Sequence, residues 1–292
     1  MQRLEQVGPN EWRFRWPRGF QRTSRVIDHA LDLAAYGREA EAEGLLRDGF
    51  RRSPEHIDLM QALGQVLFHT GRRKEAQAVL ARAVEIGRTA FPPQAFMLGR
   101  DLLEWSWLEN RPFLRCLEEY MLLGRYAMGE MDEAVELAKE LLALNPRDDQ
   151  GVRSMALSWL LRLGRDEEAL SLSDAYPEDF EAETAYGRPL AFFRLGRAAE
   201  AEAALRGAMD RLPLVAAELL KARHHKPESL RPGYQTIGGA DQAYYYWQND
   251  GALWQRSQGA LNWLRRVRDE AIAPAGQAGA KRQGEGGRRK GS

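Results

Sequence analysis

The sequence contains a single cysteine, Cys116, among its 292 residues. One thiol excludes an intramolecular disulfide framework, and it excludes a zinc or iron–sulfur centre built from several cysteines. Net charge is also absent, because 42 basic residues balance 42 acidic residues. This balance argues against a protein that coats nucleic acid with its whole surface.

Long apolar runs are missing as well. None approaches the roughly 18 residues that a membrane-spanning helix needs. The N-terminal residues lack the uninterrupted apolar stretch of a signal peptide. The chain is nevertheless 44% hydrophobic, which is enough for a large buried core. We therefore expect a cytoplasmic protein that does not insert into a membrane.

Sequence motifs of the common enzyme classes are absent. There is no G-x-S-x-G nucleophile elbow, no G-x-x-x-x-G-K phosphate loop, no dinucleotide fingerprint on a strand and no H-E-x-x-H motif. Adjacent His224 and His225 cannot easily share one metal ion on a helix. The acid pair Glu118-Glu119 is expected to point to two faces and to be solvated. The sequence therefore predicts a protein that is not an enzyme and holds no metal and no cofactor.

A short pattern recurs along the chain with a period close to 34 residues. GREAEAEGLL begins at Gly37 and GRRKEAQAVL begins at Gly71, and in both an alanine follows the glycine five residues later. The same glycine–alanine spacing returns at Gly129, Gly164 and Gly196. A period of this length is typical of repeat proteins, in which each unit buries its apolar side against its neighbours.

This repeat resembles the tetratricopeptide (TPR) family, whose helix–turn–helix unit carries a Leu-Gly pair, a turn glycine, a small alanine and a closing proline. Leu63-Gly64, Gly71 and Ala76 match the pattern best. The closing position is held by Pro54, Pro146 and Pro213. The resemblance covers about residues 23–213. It implies an all-α fold, a right-handed superhelix of about five TPR-like repeats with helical caps.

Departures from the repeat divide the chain into segments. We predict an N-terminal aromatic and basic cap segment (1–22), repeats one and two (23–87), an insertion (88–112), repeats three to five (113–213), C-terminal capping helices (214–271) and a disordered basic tail (272–292). The insertion contains Phe91-Pro92-Pro93, which cannot continue a helix. The tail has almost no large apolar side chains to bury.

Three strings carry a second, narrower resemblance. EWSWLENRPFLR, LALNPRDDQGVR and AYGRPLAFFR are similar to a bacterial group of TPR proteins that is related to the repeat region of suppression-of-tumorigenicity-7-like proteins. This resemblance covers about residues 90–265. It implies the repeat fold and no particular activity.

Aromatic and polar residues of the insertion and of the first helices form the predicted partner-binding site. Insertions in repeat arrays often lie on the binding face, and arginines can grip a carboxylate or a backbone. The predicted contact residues are Trp105, Trp107, Asn110, Arg111, Gln150, Arg153, Tyr186 and Arg188. In the alternative interpretation, the tryptophans plug the junction between repeats, Asn145, Asp148 and Asp149 cap helices, and the arginines pair with neighbouring acids.

One known TPR function can be compared position by position. Chaperone-binding TPR domains carry a clamp of Lys, Asn and Arg on their first helices, which holds two carboxylates. The corresponding positions here hold Asp58, Gln61, Ala62 and Gln65, preceded one unit earlier by Ile27 and Leu31. The sequence therefore predicts no such clamp and no recognition of an acidic chaperone tail.

These patterns predict a non-catalytic protein–protein interaction scaffold that binds a peptide or protein segment in its concave groove. The alternative is a nucleic-acid-associated regulatory adaptor that uses the two ends of the chain. Residues 12–18 alternate aromatic and basic side chains, on which bases can stack, and residues 272–292 carry five basic residues and one acidic residue. The N-terminal aromatics would otherwise cap the first repeat. The oligomeric state is not indicated.

Overall fold

The computed structural model describes residues 2–231 and 233–272. The chain forms two compact units, of which the first ends at Trp159 and the second begins at Leu160. The predicted basic tail (272–292) lies outside the described residues from position 273 onward.

The first unit begins with a two-stranded antiparallel sheet. Strand β1 covers Arg3–Gln6 and strand β2 covers Trp12–Arg15, with Leu4 opposite Phe14. Side chains alternate between the two faces of a strand, and Leu4, Trp12 and Phe14 all lie on the buried face. The N-terminal segment is therefore a strand pair packed on the unit by its aromatic face.

Helices form most of the first unit. They are α1 (Ser24–Ala35), α2 (Glu39–Arg52), α3 (Ile57–His69), α4 (Arg73–Arg88), α5 (Arg111–Glu119), α6 (Met131–Leu144) and α7 (Val152–Arg162), the last of which crosses the boundary between the units. Helix α5 continues into a π-helical stretch at Tyr120–Arg125. Helix α1 packs on α2 and α3 on α4, and α3 also packs on both α1 and α5. The first helices of successive pairs thus lie side by side.

The repeated glycines form the turn between the two helices of each pair. All five have a left-handed backbone, with φ between +72° and +84°, which glycine adopts without steric cost. The alanine five residues later is buried in every repeat, at Ala42, Ala76, Ala134, Ala169 and Ala201. The glycine and the alanine recur because each pair needs the same turn and the same close contact.

Close contact between helices also explains the Leu-Gly pair of the second repeat. A Cβ atom on Gly64 would lie 2.7 Å from Cγ of Leu80. The absence of a side chain at this position therefore lets α3 and α4 approach each other. The neighbouring Leu63 is buried in the same core.

The segment between α4 and α5 joins the strand pair to the repeats. The N–H group of Trp12 donates to the carbonyl of Leu102 at 2.9 Å. The rings of Phe14 and Phe91 each lie with their centroids 5.3 Å from that of Phe113, on α5. The strand pair and the insertion therefore form one aromatic layer against the start of α5.

The described part of the second unit contains the last residues of α7 and six further helices. These are α8 (Asp166–Ala175), α9 (Ala182–Arg194), α10 (Ala198–Arg211), α11 (Pro213–Leu219), α12 (Ala240–Arg256) and α13 (Ala260–Ile272). Helix α9 pairs with α10, α12 packs on α11 and α9, and α13 packs on α10. Tyr186, Tyr246 and Trp254 are fully enclosed in this core, and the indole N–H of Trp254 donates to the hydroxyl of Tyr246 at 2.9 Å.

The prediction of an all-α fold built from helix–turn–helix repeats is confirmed. The short strand pair at the N-terminus is the addition that the repeat pattern does not contain. Among the described residues, no helix has both the length and the apolar character that crossing a membrane requires.

Candidate functional site

Asn110 fastens the strand pair to the insertion. Its Oδ1 accepts a hydrogen bond from the N–H group of Phe14, and its Nδ2 donates to the carbonyls of Trp12 and Glu104, each at 3.0 Å. The side chain is fully buried. It therefore has no polar atom left for a partner, which departs from the expectation that Asn110 contacts one.

Trp105 and Trp107 are half-buried, and an arginine covers one side of each ring. The guanidinium of Arg111 lies 5.1 Å from the ring centroid of Trp105, and its Nε donates to the Trp105 carbonyl at 3.0 Å. The guanidinium of Arg13 lies 4.8 Å from the ring of Trp107. These cation–π contacts belong to the packing of the insertion. The outer parts of Trp105, Trp107 and Arg111 remain at the surface.

Arg153 is held by the residue that caps α7. The carboxylate of Asp148 accepts hydrogen bonds from the N–H groups of Val152 (2.6 Å) and Arg153 (3.0 Å), and Nη1 of Arg153 lies 2.9 Å from it. Asp148 itself is buried and has a φ of +53°. For this arginine, the structure has the arrangement of the alternative interpretation, a capping acid paired with a nearby arginine.

Tyr186 and Arg188 belong to the second unit, whereas the six other predicted residues belong to the first. The hydroxyl of Tyr186 donates to the carbonyl of Leu212 at 2.8 Å, and complete burial raises its pKa. This tyrosine is therefore a core residue and not a surface contact. Arg188 donates to the hydroxyl of Ser173 at 2.5 Å and also pairs with Asp174.

The first-helix face is the surface that α1, α3 and α5 form in the first unit. We define it by Leu31, Asp58, Gln65, His69, Arg115, Glu118 and Glu119, together with Gln150, which precedes α7. Along α3 and α5 these residues follow the three- and four-residue spacing of one helix side. Gln150 is the predicted contact residue that the structure brings to this face.

Hydrogen bonds connect neighbouring elements across the first-helix face. Arg115 of α5 pairs with Asp58 of α3 at 3.1 Å. Nε2 of Gln65 donates to Oε1 of Glu119 at 2.6 Å. Nε2 of Gln150 donates to the carboxylate of Glu118. The face is therefore an ordered polar layer that spans the first helices.

Glu118 and Glu119 are half-buried, so the expectation that this acid pair is solvated is wrong. Burial raises the pKa of both carboxyl groups, and the hydrogen bonds from Gln150 and Gln65 offset only part of that effect. Within the described part of the chain, no arginine or lysine forms an ion pair with either carboxylate. Their partners are neutral amides.

An apolar groove opens between α1 and α3. Its volume is about 300 Å³. The lining residues are Leu31, Ala34, Ala35, Glu39, Gln65, Val66 and His69. Gln65 belongs both to this groove and to the hydrogen bond with Glu119, so the groove adjoins the half-buried carboxylates. In the sequence, Leu31 and Gln65 stand out only as positions of the carboxylate clamp, and no sequence pattern indicates the groove.

A larger cavity, about 560 Å³, lies between residues 17–20 and residues 53–56. Its aromatic wall is a stack in which the ring of Phe20 lies 4.3 Å from Trp16 and 4.0 Å from His56. Nδ1 of His56 accepts the N–H of Leu59, so Nε2–H donates to the carbonyl of Phe20 at 2.9 Å. The polar atoms of His56 are thus used within the fold.

The N-terminal aromatic residues are also engaged within the first unit. Trp12 and Phe14 are buried, and Trp16 stacks on Phe14 with a centroid distance of 4.6 Å. Arg13 and Arg15 both pair with Glu5, and their hydrogen bonds lower the pKa of that carboxyl to about 2. The rings that the nucleic-acid alternative requires for stacking on bases are therefore covered by protein.

Cys116 is fully buried on α5, and its thiol donates to the carbonyl of Ile57 at 3.4 Å. Burial raises the pKa of this thiol, which suppresses the reactive thiolate. Among residues 2–231 and 233–272, no three His, Cys, Asp or Glu side chains form a group that could hold a metal ion.

Three solved structures illustrate the likeness to known repeat proteins. A tetratricopeptide repeat protein from Parabacteroides merdae is 16% identical, with 86% of this chain and 87% of that chain covered and a TM-score of 0.49. The MamA protein is 13% identical, with 70% and 98% covered and a TM-score of 0.49. YrrB, described as a TPR protein with an unusual peptide-binding site, is 16% identical, with 68% and 93% covered and a TM-score of 0.46.

Comparison at the level of sequence gave two findings. No curated protein matches this chain. The model of one protein family, Tcf25, described as "Transcriptional repressor TCF25", matches residues 34–285.

Proposed function

The chain belongs to the Tcf25 family, and from that premise we propose that it is an interaction scaffold that binds a polypeptide segment on the first-helix face of its first unit. The observation that carries this proposal is the apolar groove between α1 and α3. A concave apolar site with a few convergent polar groups is the usual form of a binding site. Gln65 and His69 supply such groups at the groove.

Filling the groove with a large side chain tests directly whether a polypeptide segment binds there. Ala35 is exposed and lines the groove, so Ala35→Trp places an indole where the ligand would lie. Ala78→Trp is the matched control, because Ala78 is an exposed alanine on α4, outside the groove. Peptides selected from a random display library on the unmodified protein serve as probes in isothermal titration.

We expect Ala35→Trp to weaken the selected peptides at least tenfold and Ala78→Trp to leave their affinity unchanged. Circular dichroism of both variants checks that the helices are retained. If the selected peptides bind Ala35→Trp as well as the unmodified protein, the groove is not the binding site and the proposal is wrong.

We further propose that three of the predicted contact residues outside this face also touch the partner. Trp105, Trp107 and Arg111 reach the surface of the insertion, where a longer bound segment would meet them. We also predict that the protein acts without catalysis and is cytoplasmic. The narrower likeness to the suppression-of-tumorigenicity-7-like group stays a prediction as well, because the family model that matches is a different one.

The description of the family as a transcriptional repressor favours a second candidate function, that of a regulatory adaptor on nucleic acid. Because the N-terminal rings are covered by protein, this candidate rests on the basic residues near the C-terminus. A tail-neutral variant tests it, with the substitutions Lys281→Gln, Arg282→Gln, Glu285→Gln, Arg288→Gln, Arg289→Gln and Lys290→Gln. An adaptor would bind labelled duplex DNA with an affinity that falls steeply with salt and is lost in this variant. Equal binding by both proteins contradicts the adaptor.

A further inference from the structure

We propose that the first-helix face selects a basic, amphipathic segment of a partner protein. An apolar side chain of the segment enters the groove, and a lysine or arginine beside it pairs with Glu119 and Glu118. This inference rests on the proposed function, because it names the chemistry of the ligand that the same face takes.

Two carboxylates on the face have neutral hydrogen-bond partners. Glu118 and Glu119 are half-buried, and each accepts a hydrogen bond from an amide, Gln150 or Gln65. A carboxylate that has lost water pays a desolvation cost that an amide offsets only in part. A cation from a partner would add a full opposite charge beside the carboxylate, whereas the amide supplies only a dipole. Among the described residues, neither carboxylate has an arginine or lysine as its hydrogen-bond partner, so a ligand can supply that cation.

Two arginines at or beside the face, Arg115 and Arg153, are already paired with other acids. Arg115 pairs with Asp58 at 3.1 Å, and Arg153, beside Gln150 in sequence, pairs with Asp148 at 2.9 Å. Each of these pairs is neutral as a whole. The charges of Glu118 and Glu119 are thus left without compensation from these arginines.

The groove supplies the apolar part of the recognition. Leu31, Ala34 and Val66 contribute its apolar lining. Its volume of about 300 Å³ is at the lower end of the range for ligand pockets, which suits a side chain rather than a whole helix. Glu39 also lines the groove, so a further negative charge stands beside the site.

The charge of the face favours a basic segment over an acidic peptide or a phosphate backbone. The positions of a carboxylate clamp hold Asp58, Gln61 and Gln65 here, and Glu118 and Glu119 lie on the next first helix. This polarity is opposite to that of a clamp, so an acidic peptide or a phosphate backbone would meet like charge. A basic segment with an apolar residue is the ligand that satisfies both halves of the face.

The experiment uses the full chain and three synthetic peptides that differ only in charge and apolarity. The first has alternating Leu and Lys residues, the second has Glu in place of Lys, and the third has Ser in place of Leu. The test variant is Glu118→Gln/Glu119→Gln, which removes two charges and keeps the shape of the side chains. Its control is Glu85→Gln/Glu136→Gln, which removes two exposed acids of α4 and α6 and changes the net charge equally.

We expect the Leu/Lys peptide to bind the unmodified protein and the control, and to bind Glu118→Gln/Glu119→Gln at least tenfold more weakly. The Leu/Glu and Lys/Ser peptides should bind at least tenfold more weakly to the unmodified protein. Equal binding of the Leu/Lys and Leu/Glu peptides, or equal binding by both double variants, overturns the inference.

The groove-filling variant separates this inference from the proposed function. If Ala35→Trp abolishes the binding of selected peptides while the acid-to-amide variant does not, the scaffold proposal stands and the basic ligand is wrong. If Ala35→Trp has no effect on any peptide, the proposed function fails as well. The tail-neutral variant tests this chain's own tail as the occupant. A tenfold gain in affinity for the Leu/Lys peptide in that variant overturns the assignment to a partner protein.

Discussion

The second helices and the first helices of the first unit both carry half-buried glutamates, and the two sets differ in their partners. On α2 and α4, Glu43 and Glu75 are bridged by Arg47 and Arg72. Hydrogen bonds from these arginines lower the pKa of both carboxyl groups. On α5, in contrast, burial raises the pKa of the glutamates, whose partners are amides.

The difference lies in how these four glutamates are paired. Glu43 and Glu75 each have two arginine partners within the chain, so they need no cation from a ligand. The first-helix face leaves Glu118 and Glu119 partly desolvated with neutral partners. A surface that is incomplete in this way gains more from a complementary ligand than a surface whose charges are already paired.

The largest expected effect comes from weakening the attachment of the strand pair to the start of α5, the helix that carries Glu118 and Glu119. Asn110→Ala removes three hydrogen bonds to Phe14, Trp12 and Glu104. It leaves buried backbone groups without partners, and we expect a loss of about 3 kcal/mol in the free energy of unfolding. Chemical denaturation measures this loss. Asn10→Ala, at an exposed asparagine of the same strand pair, is the control and should change little.

A smaller effect follows from removing the charges of the first-helix face. In Glu118→Gln/Glu119→Gln we expect the unfolding midpoint at pH 7.5 to rise by about 2 °C, as a gain of roughly 0.5–1 kcal/mol gives in a chain of this size. The raised pKa of each carboxyl means that its ionised form destabilises the fold. The gain should therefore shrink as the pH falls and the carboxyls of the unmodified protein become protonated.

The measurement is the thermal unfolding midpoint of the unmodified protein and of the variant, taken at several pH values between 7.5 and 4.5. A variant that is less stable at pH 7.5, or a gain that grows as the pH falls, would show that the carboxylates stabilise the face. The contrast between the two helix sets would then be wrong.

The smallest effect is expected on the second helices. Arg47→Gln/Arg72→Gln removes the cations that bridge Glu43 and Glu75. These two carboxylates then have amides in place of arginines beside them, as Glu118 and Glu119 do on the first-helix face. Because these pairs are partly exposed to solvent, we expect them to contribute little to stability, and the unfolding midpoint should fall by little more than the error of the measurement. Binding of the Leu/Lys peptide at the first-helix face should be unchanged. A large loss of stability would mean that the network is structurally essential.

Much of the fold could be predicted from the sequence because the signals are local. Gly37 and Gly71 recur where a left-handed turn is needed, and Ala42 and Ala76 recur where two helices touch. The candidate site was predictable only in part. Gln150 reaches the first-helix face, but Asn110 and Tyr186 are enclosed by groups distant in sequence.

The sequence by itself determined the period, the turns and the small contacts of the repeat, because each depends on residues within one helix pair. The tertiary structure decided which polar side chains remain available. Asn110 is used up by residues of the strand pair, and Glu119 owes its surroundings to Gln65, 54 residues earlier. Burial and hydrogen bonding depend on what the folded chain brings together, and a carboxylate's charge cost follows from that environment rather than from its residue type.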